Sequence, residues 1–111
     1  MLNHREKRRY VAIMFNEGGE YRPFQLIEKI RVRFKELFGI FQLQSATLKL
    51  YDSELGNIMI VGCKLAYIDY FLVSVILCEP SLTTVFISGT LKRLRRNVSK
   101  TDFRNIKNNE S

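Results

Sequence analysis

The chain has no tryptophan, one histidine, two prolines and two cysteines among its 111 residues. Each shortage closes off a class of protein. Two cysteines are too few for the disulfide framework that holds small secreted domains together. The one histidine, His4, lies in a charged N-terminal run, so neither a histidine-based triad nor a histidine-rich metal site is available. Scarce proline beside 46% hydrophobic residues excludes a collagen-like or disordered chain. The longest apolar run, Tyr67 to Cys78, includes Asp69 and falls well short of the roughly 20 residues needed to cross a bilayer. Val11 to Phe15 is too brief for the core of a signal peptide. What remains is an intracellular protein with no membrane association and one small domain, with or without a tail.

Charge is the first positive signal. The net charge is +7, and it is unevenly placed. Residues 1–10 carry Arg5, Lys7, Arg8 and Arg9 against Glu6, a net +3. Residues 92–111 carry seven basic residues, Lys92, Arg93, Arg95, Arg96, Lys100, Arg104 and Lys107, against Asp102 and Glu110, a net +5. The stretch between is close to neutral. Two basic ends imply a polyanionic partner if the fold brings them together, and two solvated tails if it does not.

The hydrophobic pattern predicts that it does. Arg9 to Phe15 is a β-favouring run closed by Asn16-Glu17-Gly18-Gly19, a loop signal. Pro23 suits a first helical turn. Leu26, Ile27, Ile30, Phe34, Leu37 and Phe38 then recur at helical spacing up to Gly39, placed as a C-terminal cap. Ala46, Leu48 and Leu50 alternate with Thr47, Lys49 and Tyr51 like a half-buried strand. Asp52 to Asn57 reads as a hairpin connection, and Ile58 to Cys63 as its returning strand. Tyr67 to Cys78 is long enough for a buried helix ended by Glu79-Pro80. Thr83 to Leu91 is a last strand. In the basic stretch that follows, Leu94 and Val98 are too few to predict an amphipathic helix.

The order β-α-β-β-α-β is the split βαβ arrangement of ferredoxin-like and RRM-like α+β sandwiches, with a four-stranded antiparallel sheet. Residues 1–91 form the domain, with a basic lead over 1–9, and residues 92–111 a basic C-terminal extension. In that topology the first and last strands are antiparallel neighbours, so Arg9 lies beside the end of the last strand. Arg8, Arg9, Lys92, Arg93, Arg95, Arg96 and Lys100 are therefore the candidate RNA-binding residues. Arg31, Arg33 and Lys35, which Glu28 and Glu36 partly neutralise, should matter less.

Other constellations are weak. Cys63 should close the third strand and Cys78 the second helix, some 15 Å or more apart at about 1.5 Å per helical residue, too far for a disulfide. Neither belongs to a CxxC pair, so both suit buried small hydrophobes. The loop Asn16 to Arg22 resembles the glycine-and-arginine loop of acylphosphatases, which share this architecture, but its two glutamates would repel an anion. Ser45, Ser74 and Ser88 have no histidine to activate them. No catalytic and no metal-binding residues are expected in the protein. Nor does the third strand, Asn57 to Lys64, carry the stacking aromatics of an RNA recognition motif. Tyr10 and Tyr51 could face outward or pack. Backbone and shape recognition of a folded RNA by arginine and lysine is the chemistry left.

Several segments together resemble the small α/β-sandwich subunit of archaeal and eukaryotic ribonuclease P, protein component 2 in archaea. Lys7-Arg-Arg-Tyr-Val11 is similar to that family's basic entry into the first strand. Phe38-Gly39 is similar to its helix ending, and Leu48 to Tyr51 with Gly56 to Val61 to its central hairpin. Phe86-Ile-Ser-Gly-Thr-Leu-Lys92 is close to its last strand and following basic segment. The resemblance spans residues 5 to 96. It departs at Ile40 to Gln44, where a glycine-rich turn is expected, and over Ala66 to Tyr70, which is more aromatic than usual.

The resemblance implies a noncatalytic subunit of an enzyme that removes the 5′ leader of precursor tRNA. The RNA of that enzyme holds the magnesium ions and performs the hydrolysis, and the protein itself binds no cofactor. The implied partners are the catalytic RNA, a larger barrel-type protein subunit, and a second copy meeting apolar surface near the second helix or the Ile40–Gln44 loop. The location would be cytoplasmic in an archaeon and nuclear or nucleolar in a eukaryote, where a related enzyme of ribosomal RNA processing shares the subunit. The alternatives are a free-standing binder of structured RNA and an acylphosphatase-like small hydrolase.

Overall fold

A computed structural model of the protein describes residues 7–16, 19–51 and 56–100. Along the chain these form β1 (Arg8–Met14), α1 (Pro23–Phe38), α2 (Ile40–Ala46), β2 (Lys49–Tyr51), β3 (Ile58–Lys64), a 3-10 turn (Leu65–Tyr67), α3 (Ile68–Ile76), β4 (Thr83–Ser88) and α4 (Leu91–Lys100). The strands make one antiparallel sheet in the order β2-β3-β1-β4. This is the α+β sandwich expected from the sequence, with α2 and α4 added to the β-α-β-β-α-β order.

α1 begins where the sequence indicates. Pro23 takes the first helical position, where its missing N–H costs nothing, and the Gln25 side chain accepts the Arg22 backbone N–H at 2.8 Å. Gly39 ends it with φ 93° and ψ 161°, a conformation that is essentially restricted to glycine. Its N–H donates to the Lys35 carbonyl at 2.9 Å.

Past Gly39 the structure departs from the expected loop and strand. Ile40 to Gln44 belongs to the helix α2, which continues to Ala46. Ala46 is therefore not a strand residue. It is buried among the helices, while Ile40 and Phe41 stay exposed. The alternation of Ala46, Leu48 and Leu50 is coincidental over its first half, and β2 is only three residues long. Thr47 makes the turn between α2 and the sheet with φ 49° and ψ 62°, a left-handed conformation unfavourable for a β-branched residue. Its carbonyl accepts from Arg8 Nη2 at 2.9 Å.

The last strand also ends earlier than expected. β4 stops at Ser88, and Leu91 opens α4, where Thr90 Oγ1 accepts the Arg93 backbone N–H at 3.2 Å in an N-cap arrangement. The basic stretch judged too poor in apolar residues is thus helical. Leu94 and Val98 suffice because the sheet gives them a partner: both are buried against Ala12, Ile58 and Ile60.

The two faces of the sheet follow from strand alternation. Val11, Ile13, Met59, Val61 and Cys63 point to the layer of α1, α2 and α3, and pack on Leu26, Ile27, Ile30, Phe34, Phe71 and Val75. Tyr10, Ala12, Ile58 and Ile60 point the other way, toward α4.

Candidate nucleic-acid interface

α4 buries Leu94 and Val98, which at 3.6 residues per turn leaves Lys92, Arg96 and Lys100 along its outer line and Arg93 and Arg95 on its flanks. All five are exposed, and none forms an ion pair among the described residues. The start of β1 and the end of β4 meet as the topology required, with Tyr10 paired to Ser88. Arg9 lies along this edge: its guanidinium donates to the Arg8 carbonyl at 3.0 Å and passes 3.4 Å from where a Cβ on Gly89 would sit. Gly89 stands beyond the strand, in the turn into α4.

The candidate residues are therefore brought together, with one change of shape. Arg8, Arg9 and Lys92 gather at the sheet end, while Arg95, Arg96 and Lys100 are carried away from it along a helix about 15 Å long. The site is a stripe that starts at the sheet end and runs over the α4 face. Arg5, Arg104 and Lys107 lie outside the described residues.

Two cations on the strands extend the stripe, and nothing in the sequence pattern singles them out. Lys49 pairs across to Gly62 and Lys64 to Arg8, so Arg8, Lys49 and Lys64 share the α4 face of the sheet. Among the described residues this side of the molecule, with the strand ends, holds Lys7, Arg8, Arg9, Lys49, Lys64, Lys92, Arg93, Arg95, Arg96 and Lys100 and no carboxylate. The described acids, Glu20, Glu28, Glu36, Asp69 and Glu79, all belong to the helical layer and its loops.

Two cations of that layer, Arg31 and Arg33, are ion-paired. Arg31 Nη1 meets Glu28 at 2.8 Å and its Nη2 donates to the Leu48 carbonyl at 2.9 Å, while Arg33 meets Glu36 at 3.4 Å. The partial neutralisation expected of α1 is present.

The remaining candidates resolve simply. Cys63 and Cys78 are both free and buried. Burial pushes the Cys63 thiol up to about 12, against a smaller opposing pull from Arg8, and burial likewise raises Cys78. Both are inert at neutral pH. Among the described residues no three metal-ligating side chains cluster, and no helix is long and apolar enough to cross a membrane. In the Asn16–Arg22 loop, Gly19 N–H donates to the Asn16 carbonyl at 2.9 Å. Glu17 and Gly18 lie outside the described residues, as do the connection at 52–55 and the extension past residue 100.

Fold and charge together define a ferredoxin-like α+β protein whose second sheet face is partly covered by a basic helix. No family model matches the chain and no curated protein matches it in sequence. Among solved structures, it is similar to a chain in the cryo-EM structure of yeast ribonuclease MRP, with a TM-score of 0.56 and 11% sequence identity, over 89% of this chain and 96% of that chain. At this identity the likeness establishes the fold.

Proposed function

We propose that the protein is a noncatalytic, RNA-binding subunit of a ribonucleoprotein endonuclease of the ribonuclease P and MRP type. The observation that carries this reading is the segregation of charge: eight cations and no acid among the described residues on the α4 side, with Lys7 and Arg9 beside them at the strand ends, against a near-neutral helical layer. A surface on folded elements neutralises phosphates with less loss of backbone entropy than a loose tail, and arginine's planar fork suits phosphate oxygens. The likeness to a chain of yeast ribonuclease MRP and the sequence resemblance to the ribonuclease P subunit support the same assignment from independent directions. The RNA would hold magnesium and perform the cleavage. The protein partner would meet the opposite layer, where Ile40, Phe41, Val73 and Ile76 are exposed. Its place would be the nucleus or nucleolus of a eukaryote, or the cytoplasm of an archaeon.

The test is reconstitution. A tagged chain should co-purify a stable RNA and an activity that shortens precursor tRNA at its 5′ end. Replacing Arg8/Arg9 or Arg95/Arg96 by alanine should weaken RNA binding and lower the salt slope by roughly 0.7 to 0.9 for each phosphate no longer neutralised. Cleavage should suffer most at low magnesium and recover as magnesium is raised. The Arg31/Arg33 pair should matter less. A defect indifferent to magnesium, or larger for Arg31/Arg33, would refute the placement of the RNA on α4 and the sheet end.

A further inference from the structure

α4 does not cover the whole of its sheet face. Leu94 and Val98 sit over Ala12, Ile58 and Ile60, toward the Met14 end of β1. At the Arg8 end, Gly62 on β3 is flanked by Tyr10 on β1 and Lys49 on β2. Tyr51 lies two residues further along β2, opposite Ile60 and on the same face. The two phenol rings meet edge to face with centroids 5.7 Å apart.

Glycine at 62 is what lets this group lie down. A Cβ there would stand 3.0 Å from Tyr51 Cε2, 3.1 Å from Arg8 Nη2 and 3.3 Å from Tyr10 Cε1. Both rings and the guanidinium therefore converge over the bare backbone of one residue. Arg8 is held there by its bond to the Thr47 carbonyl. Lys49 Nζ stands 5.4 Å from the Tyr51 ring centroid, within reach of a cation–π contact.

Tyr10 and Tyr51 pack against the cluster of Ala12, Ile58 and Ile60, a contact that any large apolar side chain could make. Tyr10 and Tyr51 are only half-buried, and neither hydroxyl is hydrogen-bonded among the described residues. Their neighbours are Arg8, Lys49 and Lys64, with no described acid on the same face. Aromatic rings beside cations on a rigid sheet are the means by which single strands are bound: bases stack, and the charges follow the backbone. A duplex offers its phosphates to such a surface but not its base faces.

We infer that the Tyr10–Gly62–Tyr51 cluster is a stacking seat for an unpaired RNA nucleotide, with Arg8 and Lys49 on the adjoining phosphates. This rests on the RNA-binding reading and adds a distinct subsite to it: α4 grips backbone, and the sheet end takes a base that is out of the helix.

The experiment titrates the full chain with a short single-stranded oligouridine and with the same strand closed in a duplex. It follows anisotropy of labelled RNA and tyrosine fluorescence, which no tryptophan obscures. Tyr51→Leu should lose roughly tenfold in affinity for the single strand, the size of one stacked base. Its salt slope and its duplex affinity should stay as in the wild type, and Tyr51→Phe should bind nearly normally. Should Tyr51→Leu fail to fold by circular dichroism, Tyr10→Leu carries the same comparison. Gly62→Ala should reproduce the single-strand loss by lifting both rings. Unchanged single-strand affinity in the leucine variant, or an equal loss on duplex, overturns the stacking seat and leaves the RNA-binding reading intact. Failure of the wild-type chain to bind either RNA at low salt overturns both, and leaves the face to a protein partner.

Discussion

The two faces of the sheet are built by the same alternation on the same strands, yet they are covered by different means and to different extents. On one face three helices bury large side chains, with Phe34, Ile30 and Phe71 fully enclosed, and their charges pair locally. On the other a single ten-residue helix holds on through Leu94 and Val98, assisted by Leu91, and its cations pair with nothing described. The first face supplies a broad core and the second a narrow one. Under the proposed function, a surface that meets a polyanion keeps its charges unneutralised, and a weaker local helix is the consequence. Weakening each cover in turn puts that contrast to the test.

Truncating the cores should separate them most clearly. Phe34→Ala should cost about 3–5 kcal/mol and loosen the whole fold. Leu94→Ala should cost about 2–3 kcal/mol, with the loss concentrated in α4. Hydrogen exchange should then open α4 amides while α1 and α3 stay protected, and RNA binding should fall. Uniform loss of protection in Leu94→Ala would mean that α4 is an integral part of one cooperative core.

A smaller effect should run in opposite directions for stability and binding. Lys92, Arg96 and Lys100 are spaced four apart, and each like-charged pair at that spacing costs a few tenths of a kcal/mol. Arg96→Glu turns both repulsions into attractions and should stabilise the helix by about 1 kcal/mol or less while weakening RNA binding. Thermal melts and RNA titrations on the same variant measure both. A variant both more stable and equally good at binding would show that α4 does not face the RNA.

The helical face carries an effect that is absent at neutral pH and shows only at high pH. Cys63 has its thiol raised in the folded state from 9.0 to about 12 by burial, so the native chain holds that proton more tightly than the unfolded chain. The resulting stability is fully present below pH 9 and declines as pH rises toward 12. The stability difference between the wild type and Cys63→Ala should therefore narrow over that interval in denaturant titrations. A difference independent of pH would show that the thiol is not protected by burial.

Much of the fold is legible in the residues themselves, and the exceptions have physical causes. α1 is visible because Leu26, Ile27, Ile30 and Phe34 repeat at helical spacing between Pro23 and Gly39, all local signals. α2 is not, because its seven residues are too few to show a period and follow directly on a glycine that reads as the close of the helical layer. α4 is not, because Leu94 and Val98 form a stripe only two side chains wide. Whether so thin a stripe folds depends on a sheet face contributed by residues far away in sequence. Of the candidate site, the basic ends were readable from composition, and their convergence from the order of elements. Tyr10 and Tyr51 could be read as facing outward or packing, and Lys49 and Lys64 as nothing in particular, because each is an ordinary strand residue until register sets them on one face.

The sequence alone determined the alternating strands, the long first helix with its proline start and glycine stop, and the excess of positive charge at both ends, because each is written in spacing or count within a few neighbouring residues. The tertiary structure alone decided that the basic segment up to Lys100 coils onto the sheet, that the described carboxylates stay on the opposite layer, and that two tyrosines and an arginine share the space above Gly62. Those outcomes depend on strand pairing between distant segments, where a shift of one residue would turn every one of these side chains to the other face.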